Sequence, residues 1–116
     1  MKLRLIGAVA LALVSLPAVA QQGCIGIPVD QGVAALERFN AERVEFLEGD
    51  AKLRAVAFYN SLPPEGNVAW PVVMIADLPE GAGFIAFGGG GVFCDRIIIP
   101  AAQWSEIRRH IVGPEA

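Results

Sequence analysis

The sequence is poor in the residues that most often carry chemistry, with two cysteines, one histidine and one tyrosine among 116 residues. A single histidine does not supply the ligand set of a zinc site. The two cysteines lack the Cys-x-x-Cys spacing of a redox pair, and no Ser-His-Asp arrangement is readable. We therefore expect no metal, no cofactor and no catalytic set.

Basic residues are also scarce, because nine Lys and Arg stand against twelve Asp and Glu. Two of the nine, Lys2 and Arg4, lie in the first twenty residues, so the remainder of the chain has a net charge of −5. Nucleic acids and anionic membranes attract basic clusters, and the sequence has none. We therefore expect no nucleic-acid partner.

The most extended apolar run lies at the start of the chain. Residues 1–20 carry Lys2 and Arg4, continue with an apolar run over residues 5–16 and end in Ala-Val-Ala. This pattern is typical of a signal peptide cleaved after Ala20. The apolar run is shorter than the roughly 20 residues of a membrane span. We predict a secreted, most simply bacterial periplasmic, protein without stable membrane insertion after cleavage.

Cleavage leaves residues 21–116, the length of one small domain, with residues 21–29 as an N-terminal arm. Cys24 lies in that arm and Cys94 lies far along the chain. An even number of cysteines in an oxidising compartment predicts a disulfide bond. A bond between Cys24 and Cys94 would close a long loop of the chain. In the chain-entropy model, closing such a loop stabilises the fold by roughly 4 kcal/mol.

Residues 70–100 are predicted to form the central strands of the fold. Apolar, β-branched segments at 72–76, 83–87 and 92–99 are separated by Pro79-Glu80-Gly81 and by the four glycines 88–91. Connections this short join antiparallel strands. The glycine run precedes a strand and lacks a Lys-Ser/Thr pair, which disfavours a phosphate-binding loop. Both faces of the predicted meander are mostly apolar, so both need cover.

Three helices are predicted around these strands. Asp30 is a candidate N-cap for residues 30–40, Asp50 caps residues 51–62, and residues 101–112 carry an apolar stripe that ends before Gly113-Pro114. Residues 43–48 fit either a helix or a strand, with alternation slightly favouring a strand. The sequence predicts an α+β fold: one disulfide-stapled domain with a three-stranded antiparallel β-meander and about three helices.

The helix predicted over residues 51–62 is apolar on two sides, which favours burial between layers. The alternative is that Phe58 and Tyr59 form a partner surface. A chain this small hides a limited share of its apolar surface. We therefore expect an exposed apolar patch, built from the second sheet face or from Phe58 and Tyr59, that meets a protein partner or a second copy.

These features favour a small exported binding or inhibitor-like interaction module in the cell envelope. One alternative is a structural or assembly component of the envelope. Another is a small hydrolase using Asp77 and Asp95, two carboxylates on different strands of the predicted sheet. A single cleft gathering Asp77, Asp95, Arg96 and His110 would favour the hydrolase.

Overall fold

A computed structural model describes residues 24–113, and the signal peptide predicted at residues 1–20 lies outside them. The strands are β1 (Ile27–Pro28), β2 (Glu42–Phe46), β3 (Val72–Asp77), β4 (Gly83–Gly89) and β5 (Val92–Ile99). The helices are α1 (Gly32–Glu37), α2 (Gly49–Ser61) and α3 (Ala101–Val112). The predicted α+β class is confirmed, and the ambiguous segment 43–48 falls largely in a strand, β2.

The sheet has five strands in the order β1-β5-β4-β3-β2, and every neighbouring pair is antiparallel. The predicted three-stranded meander is present as β3-β4-β5, but the prediction that the sheet stops there is wrong. Two edge strands join it, with Phe46 opposite Met74 and Ile27 opposite Phe93. A charged five-residue strand and a two-residue strand are too short for an alternation pattern to identify.

The β4–β5 hairpin turns on only two of the four consecutive glycines. Gly90 and Gly91 both have positive φ angles, 63° and 90°, whereas Gly88 and Gly89 belong to β4. A two-residue loop with positive φ at both positions matches the right-handed twist of the flanking strands. The glycine run is therefore a tight turn, as the absence of a following helix indicated.

The helices agree with the predictions at the end of the chain and differ near its beginning. Helix α3 occupies residues 101–112 as predicted, and Gly113 follows it with φ 95°. Helix α1 is shorter than the predicted 30–40, because a 3₁₀ turn precedes it and Asn40, with φ 66°, follows it. Asp30 is therefore not an α-helical N-cap, and Asp50 lies within the first turn of α2.

The larger core lies between one face of the sheet and helices α2 and α3, and we call this the helix face. Its fully buried members come from β3, β4, β5, the segment after β2 and both helices: Leu47, Ala55, Val73, Ile75, Ile85, Phe87, Ile99, Trp104 and Ile111. Leu53 on α2 is 63% exposed, so the prediction that α2 is buried on both sides is wrong. One side of α2 faces the core and the other faces solvent.

The opposite side of the sheet, which we call the second face, has a smaller core of Met74, Ala86 and Phe93. Helix α1 and the N-terminal arm pack against it, through residues that include Val29, Val33 and Leu36. Helix α1 and the arm cover only part of this face, which leaves Phe39 and Ile98 exposed.

A β-bulge decides which side of the sheet Phe93 occupies. The register shifts between Phe87 and Gly88, so that Asp95 pairs with Phe87 but Phe93 pairs with Gly88. Cys94 is the extra residue, and strict alternation would have put Phe93 on the helix face with Asp95. Cys94 is bonded to Cys24, which confirms the predicted disulfide.

Candidate functional site

A group of charged side chains meets at the end of β3. The Asp77 carboxylate accepts a hydrogen bond from Trp104 Nε1 at 2.8 Å and one from Arg43 Nε at 2.6 Å. Asp77 therefore joins β3 to α3 and to β2 through two oxygens of one side chain. Two bonds from charged or polarised donors hold this carboxylate in one orientation.

Arg108 lies behind Asp77 and is the only charged residue classed as buried among residues 24–113, with 6% of its surface exposed. Its Nη2 donates to Glu45 Oε2 at 3.0 Å, and its Nε lies 3.8 Å from Asp77 Oδ1. Helical spacing explains its position, because residues 104, 108 and 111 of α3 point towards the sheet. A buried guanidinium requires such partners, since an uncompensated buried charge is strongly destabilising.

Two backbone features place the remaining members of this group. Arg43 has φ 49° at a register shift in β2, and this bulge directs its side chain towards Asp77. Gly83 in β4 lies under the indole of Trp104, and a Cβ atom there would overlap the ring. A residue without a side chain therefore allows Trp104 close enough to the sheet to reach Asp77.

An open cleft of about 870 Å³ adjoins this group. It lies between the start of β2, the turn after β3 and the first turns of α3, and its charged lining residues are Glu42, Arg43, Asp77, Glu80, Arg108 and Arg109. Three positive and three negative charges balance across the lining, so the cleft offers no field of one sign to an ionic ligand. Through its hydrogen bonds and ion pairs, the group links β2, β3 and α3.

The proposed hydrolase residues are not gathered in this cleft. Asp95 pairs with Phe87, which pairs with Val73, so it lies four residues from Asp77 along the strands and two strands away. Four residues of strand span about 13 Å. The cleft contains Asp77 but is not lined by Asp95, Arg96 or His110.

Asp95 belongs to a second group, formed with aromatic side chains of the helix face. Its carboxylate accepts a hydrogen bond from the Tyr59 hydroxyl at 2.6 Å. The Tyr59 ring packs against Phe87 and Trp70, with centroids 4.8 and 5.6 Å apart. Burial of the phenol, together with its hydrogen bond to negatively charged Asp95, raises the pKa of Tyr59 above the ordinary value.

Phe58 and Tyr59, the residues predicted as a possible partner surface, are both half-buried against the core of the helix face. Tyr59 is held by Asp95 and by two rings, so its polar and apolar parts both have internal contacts. Four large apolar side chains classed as exposed lie instead on the side of the second face: Ile25, Ile27, Phe39 and Ile98.

The second face carries an apolar patch that α1 and the arm leave open. The large apolar residues that contribute to it are Ile25, Ile27, Phe39 and Ile98, all classed as exposed, and Phe84, which is half-buried. Phe39 is 71% exposed and Ile98 is 58% exposed, and Ile98 pairs directly with Phe84. We call this set the apolar patch.

A small groove opens within the apolar patch. Its volume is about 50 Å³, and its lining is wholly apolar: Ile25, Ile27, Gly32, Ala35, Leu36, Phe39, Met74, Phe84, Ala86 and Phe93. A space of this size exceeds the ~10–15 Å³ that one water molecule needs, yet it offers water no hydrogen-bond partner. The groove therefore suits one aliphatic or aromatic side chain.

Residues 24–113 contain no group of three or more His, Cys, Asp or Glu side chains placed to hold a metal ion. Within the same residues, no helix combines the length and apolar character required to cross a membrane.

Sequence reasoning missed Arg43, Glu45 and Arg108. Arg108 follows Trp104 by one helical turn, within the stripe that ends at Ile111, and that position is the signal that could have identified it. Arg43 and Glu45 lie in a strand that was itself ambiguous. Their pairing across β2, β3 and α3 depends on contacts between residues distant in sequence.

Comparison of the chain with known protein families, with curated proteins and with solved structures found no significant match.

Proposed function

We propose that this chain is a small exported binding module that docks a protein partner on the apolar patch of its second face. The observation that carries the proposal is the exposure of Phe39 and Ile98 beside a wholly apolar groove. Large contiguous apolar surface on a small protein is typical of an interaction site. The proposal keeps the binding-module hypothesis and locates its surface away from Phe58 and Tyr59.

The side chains of the apolar patch indicate which side chains the partner should present. The groove accepts one apolar side chain, which fits an anchor residue buried at the centre of a protein interface. Arg96 shares the second face with Ile98, since the two pair with Ala86 and Phe84 of the same strand, and Arg96 is exposed. The expected partner therefore presents a Leu, Met or Phe anchor with acidic residues beside it.

Export is part of the same proposal. The N-terminal signal pattern over residues 1–20 supports it, and a disulfide between Cys24 and Cys94 is compatible with an oxidising compartment. The partner would accordingly be an envelope or secreted protein.

Photo-crosslinking from within the patch tests the proposal. A photoreactive residue is placed at position 39, and in a second protein at position 53, which is also exposed but lies on α2. Each purified protein is irradiated in an extract of the envelope. We expect a defined adduct from position 39 only, whose partner segment, identified by mass spectrometry, contains an apolar anchor.

Competition supplies the control. Excess wild-type protein is expected to abolish the adduct, whereas excess Phe39→Asp protein is not, because a carboxylate at the groove cannot enter an apolar interface without a large desolvation penalty. Equal adducts from both positions, or an adduct only to a second copy of this chain, would contradict docking of a partner on the patch.

A further inference from the structure

The outer edge of β5 differs from the other edges of the sheet. Along its inner edge β5 pairs with β4 from Val92 to Ile99. On its outer edge β1 pairs only with Val92 and Phe93, and two further backbone bonds, from Gly26 and Val29, reach Phe93 and Gly91. Within residues 24–113, no strand pairs with residues 95–99 on that side.

This open segment has the composition of a strand that pairs. Its sequence is Asp-Arg-Ile-Ile-Ile, and proline occurs only after it, at Pro100. Unpaired backbone N–H and C=O groups on a β-branched edge form a template for another strand. The Arg96 N–H donates to Asp95 Oδ1 at 2.8 Å, and a second strand would supply partners at regular spacing for the remaining main-chain groups of this edge.

The opposite edge of the sheet is protected by comparison. In β2 a bulge lies at Arg43, and Glu42 and Glu45 add charges to the strand. Bulges and charged residues are the devices by which natural sheets avoid pairing at their edges. Among the strands of residues 24–113, only the β5 edge combines length, isoleucine content and freedom from a bulge beyond Cys94.

We propose that residues 95–99 of β5 pair with the same residues of a second copy, joining two five-stranded sheets across a two-fold axis. An antiparallel strand is complementary to itself about such an axis, so one sequence can supply both sides. A register centred on Ile97 places Arg96 opposite Ile98 of the second copy and Asp95 opposite Ile99. In this register no two like charges lie directly opposite each other, an arrangement that would destabilise the strand pair.

The dimer is formed by the main chain along the edge of β5, whereas docking uses side chains of the second face, and Ile98 contributes to both. The edge of β5 meets the second copy, while Phe39 and the groove remain on the second face of each copy. A dimer would therefore present two docking patches. A partner that carries two or more copies of its own binding site would then bind the dimer with added avidity. Because Ile98 serves both surfaces, Phe39→Asp separates them: it should abolish docking and leave the dimer intact, since Phe39 lies outside β5.

Sedimentation equilibrium of the secreted protein tests the dimer. We expect twice the mass of one chain, falling towards the mass of one chain on dilution. Ile98→Lys is expected to abolish the dimer, because lysine on an edge strand opposes pairing and Ile98, 58% exposed, tolerates the change in the monomer. The matched control is Leu53→Lys, an equally apolar residue 63% exposed on α2, which should stay dimeric.

Hydrogen exchange separates the dimer from cover by the chain's own N-terminal residues. Alternate amides of residues 95–99 should be protected in the wild-type dimer and exchange fast in Ile98→Lys, with circular dichroism unchanged. A wild-type monomer with protected amides would assign the edge to residues before Cys24 and overturn the proposal. A wild-type monomer with fast exchange, or a dimer unaffected by Ile98→Lys, would overturn it as well.

Discussion

Arg108 shows how one residue can fix the relation of three elements. It is a charged side chain with 6% exposure, placed by helical spacing against Glu45 of β2 and Asp77 of β3. Because Glu45 and Asp77 retain partial contact with solvent, the group is a partly solvated ion pair rather than one sealed in the core. Its energetic weight should lie between those of surface and fully buried pairs.

Replacing Arg108 by alanine is expected to lower the free energy of unfolding by about 2 kcal/mol, the scale of a charged hydrogen bond lost at a buried site. Urea unfolding followed by circular dichroism measures the change. Arg109→Ala is the matched control, since Arg109 is exposed on the same helix and exposed substitutions usually stay within about 0.5 kcal/mol. Equal effects of the two variants would show that the Arg108 ion pairs contribute no stability.

Tyr59 gives a pH-dependent prediction that a single chromophore can report, because the chain contains one tyrosine. Its pKa is raised in the fold by burial and by Asp95, so the folded state retains the phenol proton that the unfolded state loses. The resulting stability is present below the ordinary pKa of 10.0 and is lost as pH rises above it.

Ultraviolet titration of folded protein should accordingly show phenolate forming above the pH at which it forms in denaturant. Asp95→Asn is expected to lower the folded pKa of Tyr59, since the negative charge that disfavours phenolate is removed. The free energy of unfolding of Tyr59→Phe should also decline less at alkaline pH than that of wild type. Identical titrations in folded and denatured protein would contradict the Tyr59–Asp95 contact.

At the scale of elements, close approach of α3 to the sheet depends on Gly83. The ring of Trp104 occupies the space where a Cβ of residue 83 would lie, and its indole nitrogen thereby reaches Asp77. The N-terminal arm depends instead on a covalent link, because β1 has two residues and few backbone bonds. Helix α3 is thus positioned by the packing of Trp104 on Gly83, and the N-terminal arm is held by the disulfide bond.

Gly83→Ala is expected to destabilise the fold by roughly 1–3 kcal/mol, the range for overpacking a filled core. Thermal unfolding, with tryptophan fluorescence to detect displacement of Trp104, measures it. Gly66→Ala is the control, because the nearest atom to a Cβ at residue 66 is Asn60 Oδ1 at an ordinary contact distance of 3.8 Å. A neutral Gly83→Ala would show that Trp104 does not lie over β4.

Reduction of the Cys24–Cys94 bond tests the role of the arm. The bond joins residues 70 apart in sequence, and closing a loop of this length stabilises the folded state by roughly 4 kcal/mol. We expect Cys24→Ser/Cys94→Ser protein to lose up to that amount in denaturant unfolding and to exchange amides of residues 26–29 faster. Unchanged stability on reduction would mean that the arm is held by its packing alone.

At the scale of the whole molecule, the sheet has one face covered by two helices and one face only partly covered by α1 and the arm. In the described part of the chain, this asymmetry leaves apolar side chains exposed on the apolar patch. It also leaves the outer edge of β5 without a paired strand over residues 95–99. The proposed docking would cover the patch, and the proposed dimer would pair the edge.

The proposed export has a direct chemical readout. N-terminal sequencing of protein recovered from the periplasm or medium is expected to begin at Gln21, where the Ala-x-Ala ending predicts cleavage. Replacing Ala20 with a bulky residue should block processing. Recovery of the intact N-terminus from a membrane fraction would contradict cleavage.

The sequence alone determined the elements whose signals are local. The three central strands, α3, the tight glycine turn and the Cys24–Cys94 bond follow from β-branched runs, helical periodicity, turn residues and cysteine count. The apolar character of both strand faces also predicted that the helices could not cover the whole sheet.

Tertiary structure decided what depends on contacts between distant residues. Edge strands β1 and β2 exist because β3 and β5 offer hydrogen-bonding edges, and propensity over so few residues is too weak to form them alone. The bulge at Cys94 moved Phe93 to the second face, against simple alternation. Asp77 met Arg43 and Arg108 rather than Asp95, because strand register, which no local pattern encodes, sets which side chains become neighbours.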